Sequence, residues 1–297
     1  MYTIPSTFKD FIAADCDRAS FIQKYLNEAG LDAPVLQMEG KNHIYVKFPQ
    51  SQYNSMFRIK TVIAHYDRIG IGANDNSAAV FCLLEWAAKL YARGNGRGLG
   101  NAMGNKRSLG GTRRALHDSD FEARKGGFHN IRLIFTDGEE LGAAGVAEQG
   151  AFPLAQVFRR LGITNDDIFV FDCMGRGDVP ILTQTRIPHK APGKFIKDFS
   201  LLEQRAASLL QASSGGHWFT LPCNYSDNAS FIASGIPAVA ITMLPSQEVS
   251  LVLQGKLPET WQRFHTQDDN FESLQPASFE LFHKILDNLA DLKSLAI

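Results

Sequence analysis

Short apolar runs that each end in a histidine or an acid constrain this chain more than any other feature. Thr61 to Ala64 runs into His65, Ile131 to Phe135 into Asp137-Gly138-Glu139-Glu140, and Ile168 to Phe171 into Asp172. Ala238 to Met243 is a fourth buried-strand pattern, without such an ending. Between them the periodicity changes to that of helices. Val80, Leu83, Leu84 and Ala87 form a stripe within about Ser77 to Ala92, and Phe279, Phe282, Ile285, Leu286, Leu289 and Leu292 form another in the tail from Ala277. The first thirty-odd residues also predict helix, through Phe8, Phe11, Ile12, Phe21, Ile22, Tyr25 and Leu26, with a short strand from His43 to Phe48 after them. Buried strands alternating with helices predict an α/β fold, a three-layer α/β/α sandwich around a mostly parallel mixed sheet. Ligands gather beyond the carboxyl ends of such strands. His65, Glu139, Glu140 and Asp172 therefore fall on one edge of the predicted sheet.

A chain of 297 residues, 44% hydrophobic, can fill such a core in one large α/β domain, or two small ones at most, and residues 1–297 read as a single domain. The formal net charge of -1 offers no global field for nucleic acid or an anionic membrane. No apolar run approaches a membrane span. The start, Met1-Tyr2-Thr3-Ile4-Pro5, has no basic region before an apolar stretch, and Cys16, Cys82, Cys173 and Cys223 are scattered without a CxxC pair. A reducing cytoplasm is the expected setting. The glycine- and arginine-rich stretch Gly94 to Gly127, with Arg97, Arg107, Arg113, Arg114 and Arg124, interrupts a helix-to-strand connection. Such long loops are functional or disordered. Three readings stand: a disordered surface loop, a homo-oligomer contact, or an arm over a neighbouring active site.

His65, Asp75, Glu140, Asp172 and His265 are the candidate metal ligands. Taken singly, each has an ordinary reading. A histidine at a strand end is usually hydrogen-bonded, an acidic pair such as Glu139-Glu140 usually starts a solvated helix, and Asp75 suits a turn. Taken together, imidazole and carboxylate suit zinc and similar divalent ions. Two ions sharing one carboxylate need five ligands of this kind.

Four ordered segments carry a resemblance. They are Ala64-His65-Tyr66-Asp67 with Gly72-Ala73-Asn74-Asp75-Asn76; Phe135-Thr136-Asp137-Gly138-Glu139-Glu140-Leu141-Gly142; Phe171-Asp172-Cys173-Met174-Gly175; and Ser226-Asp227-Asn228-Ala229-Ser230-Phe231 with Gly235-Ile236-Pro237-Ala238 and His265-Thr266-Gln267-Asp268-Asp269. From about Thr61 onward the chain resembles the M28 zinc aminopeptidases, relatives of the bacterial leucyl aminopeptidases. The resemblance implies a zinc-exopeptidase fold with two divalent ions, most simply Zn2+, acting on a peptide substrate with a free N-terminus. It makes Asp75 the bridge between the ions, with His65 and Asp172 on one side and Glu140 and His265 on the other. Asp67 would orient the His65 ring, Glu139 would be the general base, and the Asp75-Asn76 peptide would be cis. Two departures stand out: the segment from His65 to Asp75 is short for the family, and the Gly94 to Gly127 insertion is unusual.

Water is a poor nucleophile at neutral pH, and metal ions lower its pKa toward about 7 while polarising the carbonyl. Glu139, beside the ligand Glu140, is placed to move the proton. Tyr225 reads first as a packing residue and second as a donor to the oxyanion; His217 and Trp218 stand at a pocket edge that the sequence does not decide. A glutaminyl cyclase with a single zinc is a related alternative, since His265-Thr266-Gln267-Asp268-Asp269-Asn270 resembles that group too, whereas Asp75-Asn76 has the peptidase form. A non-catalytic binding module on the same fold is the other. No GxSxG elbow, P-loop or dinucleotide fingerprint is present.

Overall fold

The computed structural model describes residues 2–94, 128–187 and 189–296. Helices α1 (Ser6–Ile12) and α2 (Arg18–Glu28) precede strands β1 (Val35–Met38), β2 (Lys41–Val46) and β3 (Lys60–His65). Helix α3 (Ala79–Gly94), strand β4 (Ile131–Thr136), helix α4 (Ala151–Arg160) and strands β5 (Asp167–Phe171) and β6 (Val179–Thr183) follow. Then come α5 (Gly193–Ser214), β7 (Phe219–Leu221), α6 (Asn228–Ala233), β8 (Ala238–Leu244), α7 (Ser246–Leu253), α8 (Glu259–Gln262) and α9 (Pro276–Asp291). Asp17 caps α2, accepting from the Ser20 amide at 3.2 Å, which satisfies one of the free amides of a first turn. Pro276 occupies the first turn of α9, where its missing N–H is no loss.

The eight strands form one sheet in the order β1-β2-β4-β3-β5-β8-β6-β7. The centre, β4-β3-β5-β8, is parallel, while β1 and β2 on one flank and β6 against β8 on the other pair antiparallel. All six residues of β3 are buried, as are all five of β5 and all seven of β8. Strands covered on both faces need apolar residues at successive positions, which is why these runs stand out in the sequence. The period-two alternation sorts them. Val62, Leu133, Phe135, Phe169 and Phe171 join the core under α3, α5 and α9, whereas Ile63, Ile134, Ile168 and Val170 pack under α4 and α6. Helices on both faces of a mixed sheet make the expected three-layer sandwich.

The differences from expectation lie at the margins. The strand read as His43 to Phe48 spans Lys41–Val46, and β1, β6 and β7 had no clear run to announce them. The tail helix stops at Asp291, so Leu292 caps its stripe and does not extend it. Of the insertion, residues 95–127 lie outside the described residues. Its roots, Gly94 at the end of α3 and Phe128 before β4, lie at the amino end of the parallel strands. Among the described residues no helix is long and apolar enough to cross a membrane.

Candidate metal centre

The register of the central strands sets out the site. His65 ends β3 level with Thr136 at the end of β4, and Phe171 at the end of β5 pairs with Ile241 of β8. The chain therefore leaves three neighbouring strands at one edge, carrying His65 and Asp67, Glu139 and Glu140, and Asp172.

Asp75 arrives differently, on the turn Ala73–Ala78 that leads into α3. Its peptide bond to Asn76 is cis, as the resemblance implies. The turn is tied down on both sides of Asp75. Asn74 Oδ1 accepts from the Gly175 amide at 2.7 Å, and Asn76 accepts from the Cys173 amide at 3.1 Å and donates to the Phe171 carbonyl at 2.9 Å. From the opposite side the Asp269 carboxylate accepts from the amides of Asn74 (2.7 Å) and Asp75 (3.1 Å). The sequence reading gave Asn74, Asn76 and Asp269 no task; all three stand inside the quoted segments, and that adjacency was the available signal.

The five candidate ligands converge. His65 Nε2 lies 3.3 Å from Asp75 Oδ1 and 3.4 Å from Asp172 Oδ1. His265 Nε2 lies 3.5 Å from Asp75 Oδ2 and 2.8 Å from Glu140 Oε2. Asp75 thus presents one oxygen to each group. Asp67 Oδ1 lies 3.5 Å behind His65 Nδ1, and the two Asp67 oxygens accept from the Glu139 and Glu140 amides at 3.1 Å each. His65 is fully buried, yet neither of its ring nitrogens makes a hydrogen bond, and Glu140 Oε1 is likewise buried without a partner. Buried polar atoms are ordinarily satisfied; here the orphaned atoms are imidazole nitrogens and a carboxylate oxygen, the donor types divalent zinc takes. The residues present fit a pair of such ions.

The electrostatics agree. Burial pushes the Glu139 carboxyl well above its ordinary range; His65 opposes this, and Asp172, Asp227 and Asp75 reinforce it. Burial and then Asp75 raise Glu140 to about 7. Burial also raises Asp227 to about 7; its Oδ2 accepts from the Thr136 hydroxyl, and its Oδ1 has no hydrogen-bond partner among the described residues. Asp67 is pushed up by burial, but the His65 ring 3.5 Å away and the two backbone amides outweigh this and hold it below the usual carboxylate range.

A cavity of about 290 Å³ opens over this cluster, lined by Asp75, Glu139, Glu140, Asp172 and His265 and walled by Cys223, Tyr225, Trp261 and Phe264. Tyr225 is not the packed residue its first reading suggests: it is 46% exposed, and its hydroxyl donates to the Gly142 carbonyl at 2.5 Å. His217 and Trp218 do not line the cavity.

A mostly parallel sandwich bearing carboxylates and histidines at its strand ends is the layout of a metal-dependent hydrolase. The model of peptidase family M28 matches residues 44–290, and the chain belongs to that family. Among solved structures, it is similar to the LapA aminopeptidase of Legionella pneumophila, at 14% identity and a TM-score of 0.61, over 98% of this chain and 75% of that one. It is also similar to a zinc aminopeptidase from Bacillus subtilis, at 14% and 0.51, over 84% and 49%. An Acidobacteriales bacterium glutaminyl cyclase matches at 15% and 0.56, over 96% and 91%. At these identities the likeness concerns the fold. A search by sequence among curated proteins found no match.

Proposed function

We propose that the chain is a single catalytic domain that removes N-terminal amino acids from peptides, using two divalent ions, most simply zinc. The observation that carries this reading is Asp75, whose two carboxylate oxygens face two separate groups, His65 with Asp172 and His265 with Glu140. His65, Asp75 and Asp172 would hold one ion and Asp75, Glu140 and His265 the other. When bound, such ions supply Lewis acidity, lowering the pKa of water toward about 7 and polarising the scissile carbonyl.

The remaining work belongs to the chain. Glu139 lines the cavity next to Glu140. It takes a proton from the water that attacks the carbonyl carbon, and gives it to the amine that leaves when the C–N bond breaks. Burial raises its basicity for that task. Asp67 stands behind the far nitrogen of the His65 ring, where it would orient that ring, and fixes the turn bearing Glu139 and Glu140 through the same carboxylate. Trp261 and Phe264 contribute apolar wall to the cavity.

The test is Glu139→Gln in the metal-loaded protein. Release of free amino acid should stop while both ions stay bound. An active variant would remove Glu139 from the mechanism.

The match covering 91% of a glutaminyl cyclase supports a second reading, in which one zinc assists attack of an N-terminal glutamine's own amine on its side-chain amide, releasing ammonia. Metal stoichiometry and the released product, amino acid or ammonia, separate the two.

A further inference from the structure

The Ser226 to Phe231 segment recurs in the resemblance without a task of its own in the chemistry. Its Ser230, on α6, is completely buried, and its hydroxyl donates to the side-chain carbonyl of Gln149 at 2.7 Å. Gln149, 1% exposed, lies just before α4 and donates its amide nitrogen to Glu139 Oε1 at 3.0 Å. We infer that Gln149 and Ser230 are positioning residues for the proton-transferring carboxylate, joined in a relay Ser230–Gln149–Glu139. The inference rests on the reading of Glu139 as the general base.

The argument is one of polarity. A primary amide has an accepting end and a donating end of nearly the same shape. Nothing in the size of the pocket tells Gln149 which way to face. The Glu139 carboxylate does, because an ionised carboxylate only accepts and so takes the NH2 end, which turns the amide oxygen to the Ser230 hydroxyl, where it accepts that proton and is held. A flipped amide would set oxygen against a carboxylate oxygen. With Oε1 held by Gln149, Oε2 is the oxygen left for the attacking water. The space is closed around this arrangement: a Cβ on Gly142 would come within 2.8 Å of Gln149 Cγ, so the turn after Glu140 packs directly on the glutamine stem.

Holding a carboxylate in one orientation acts on the chemical step and not on substrate affinity. The experiment uses the metal-loaded protein with leucine 4-nitroanilide, comparing wild type, Glu139→Gln, Gln149→Met, Ser230→Ala and the double variant Glu139→Gln/Gln149→Met, with metal content measured for each. Methionine matches the length of glutamine but neither donates nor orients. Gln149→Met should lower kcat by about 10-fold to 100-fold, the effect of a misplaced catalytic group, with KM changed less than about twofold and both ions retained. Ser230→Ala should lower kcat by about 3-fold to 10-fold, as for the loss of one ordinary hydrogen bond. In the Glu139→Gln background, Gln149→Met should add nothing. If Glu139→Gln is inactive while Gln149→Met and Ser230→Ala keep wild-type kcat, the relay is overturned and the reading of Glu139 stands. If Glu139→Gln turns over like wild type, or wild type itself is inert, the functional reading fails. Crystal structures of wild type and Gln149→Met then decide the relay alone: a displaced Glu139 carboxylate in the variant supports it, and an unmoved one overturns it.

Discussion

At the amino ends of β3 and β5, Asp166 and Asp167 meet arginines; at the opposite edge of the sheet, Asp67, Asp75, Glu139, Glu140 and Asp172 gather with two histidines and backbone amides. Asp167, 1% exposed, is held by Arg58 at 2.8 Å and Arg205 at 2.7 Å. Asp166 pairs with Arg132 and accepts from the Thr61 hydroxyl at 2.6 Å. Lys60, buried beside them, donates to the carbonyls of Leu289, Ala290 and Leu292 at the end of α9. One end of the sheet thus pairs its buried carboxylates with arginines of the chain, although Asp167 Oδ2 and Arg205 Nε have no hydrogen-bond partner among the described residues. The other end leaves carboxylates crowded enough to drive Glu140 up to about 7, and leaves His65 nitrogens without hydrogen bonds. Burying a charge without a partner is strongly unfavourable. The difference teaches where a cation from outside belongs.

The most severe way to break this contrast is Asp75→Ala. Both ions should be lost and turnover should fall below detection, because this side chain alone faces both groups, whereas His65→Ala or His265→Ala should release mainly one ion. Metal analysis after gel filtration decides it; two ions retained in the Asp75 variant would mean that the site is not bridged there. Next in size is Asp167→Ala at the other end. Removing one partner of a buried ion pair strands the other, so stability should drop by about 3–5 kcal/mol. Activity of the folded fraction should be unchanged, since the cavity lies beyond the opposite strand ends. Urea unfolding alongside kcat measures both, and a loss under about 1 kcal/mol would show that this end is not internally compensated.

The sequence made the site more legible than the sheet's edges, for a physical reason. Strands β3, β4, β5 and β8 are covered on both faces and so spell out mostly apolar runs, three of which, β3, β4 and β5, lead into the polar residues of the site. Strand β1 has Val35 and Gln37 alternating with half-buried neighbours, and β7 has two of three residues exposed, so neither leaves a pattern to read. The candidate ligands were legible because their chemistry is in the side chain. The clamps were not: Asn74, Asn76, Asp269 and Gln149 act through hydrogen bonds to atoms distant in the chain, and a polar residue in a turn has many simpler uses. Tyr225 shows the converse, since its hydroxyl is turned to a backbone carbonyl that no sequence pattern encodes.

A smaller effect is expected from pH. His129 is buried with Nδ1 accepting from the Ile131 amide and Nε2 facing Gln52 Oε1, both at 2.9 Å, and His43 accepts from the Asp137 amide at 3.2 Å. Burial lowers them to about 3 and about 4, with Lys60 and Lys293 lowering His129 further. Above pH 6.5 both are neutral folded or unfolded and contribute no slope. As pH falls below 6.5 the unfolded chain takes up the proton first, so stability declines by about 1.4 kcal/mol per pH unit for each histidine, until the folded value is reached. Raised carboxyls at the site work in the opposite sense, so the measurement is a difference: stability against pH for wild type and His129→Gln. The wild type should lose more stability than the variant between pH 6 and 4; parallel curves would show that His129 is protonated in the folded protein.

The smallest expected effect comes from the segment of greatest length. Replacing Asn95 to Lys125 with a short Gly-Ser linker removes a stretch whose roots, Gly94 and Phe128, sit at the charge-compensated end. Phe128 stacks on Phe57 with ring centroids 5.5 Å apart, and its carbonyl accepts from Lys293 at 3.0 Å, so the root is anchored by groups that the replacement leaves in place. Strand β4 then runs six residues from Ile131 to Thr136 before the chain reaches Glu139, about 20 Å at the usual rise. An insertion rooted there acts on chemistry only by reaching around the domain or across to another copy. Deletion should therefore leave kcat and KM within about twofold, the scale of surface changes away from a site. Mass in solution sharpens the result. Unchanged mass with unchanged rate assigns the segment no part in either assembly or catalysis, and a smaller species with unchanged rate makes it an oligomer contact. Loss of activity together with loss of the oligomer would make it an arm over a neighbouring site. Loss of activity in a protein that was monomeric from the start would break the comparison itself, because the end of the sheet that balances its own charge would then also govern the end that does not.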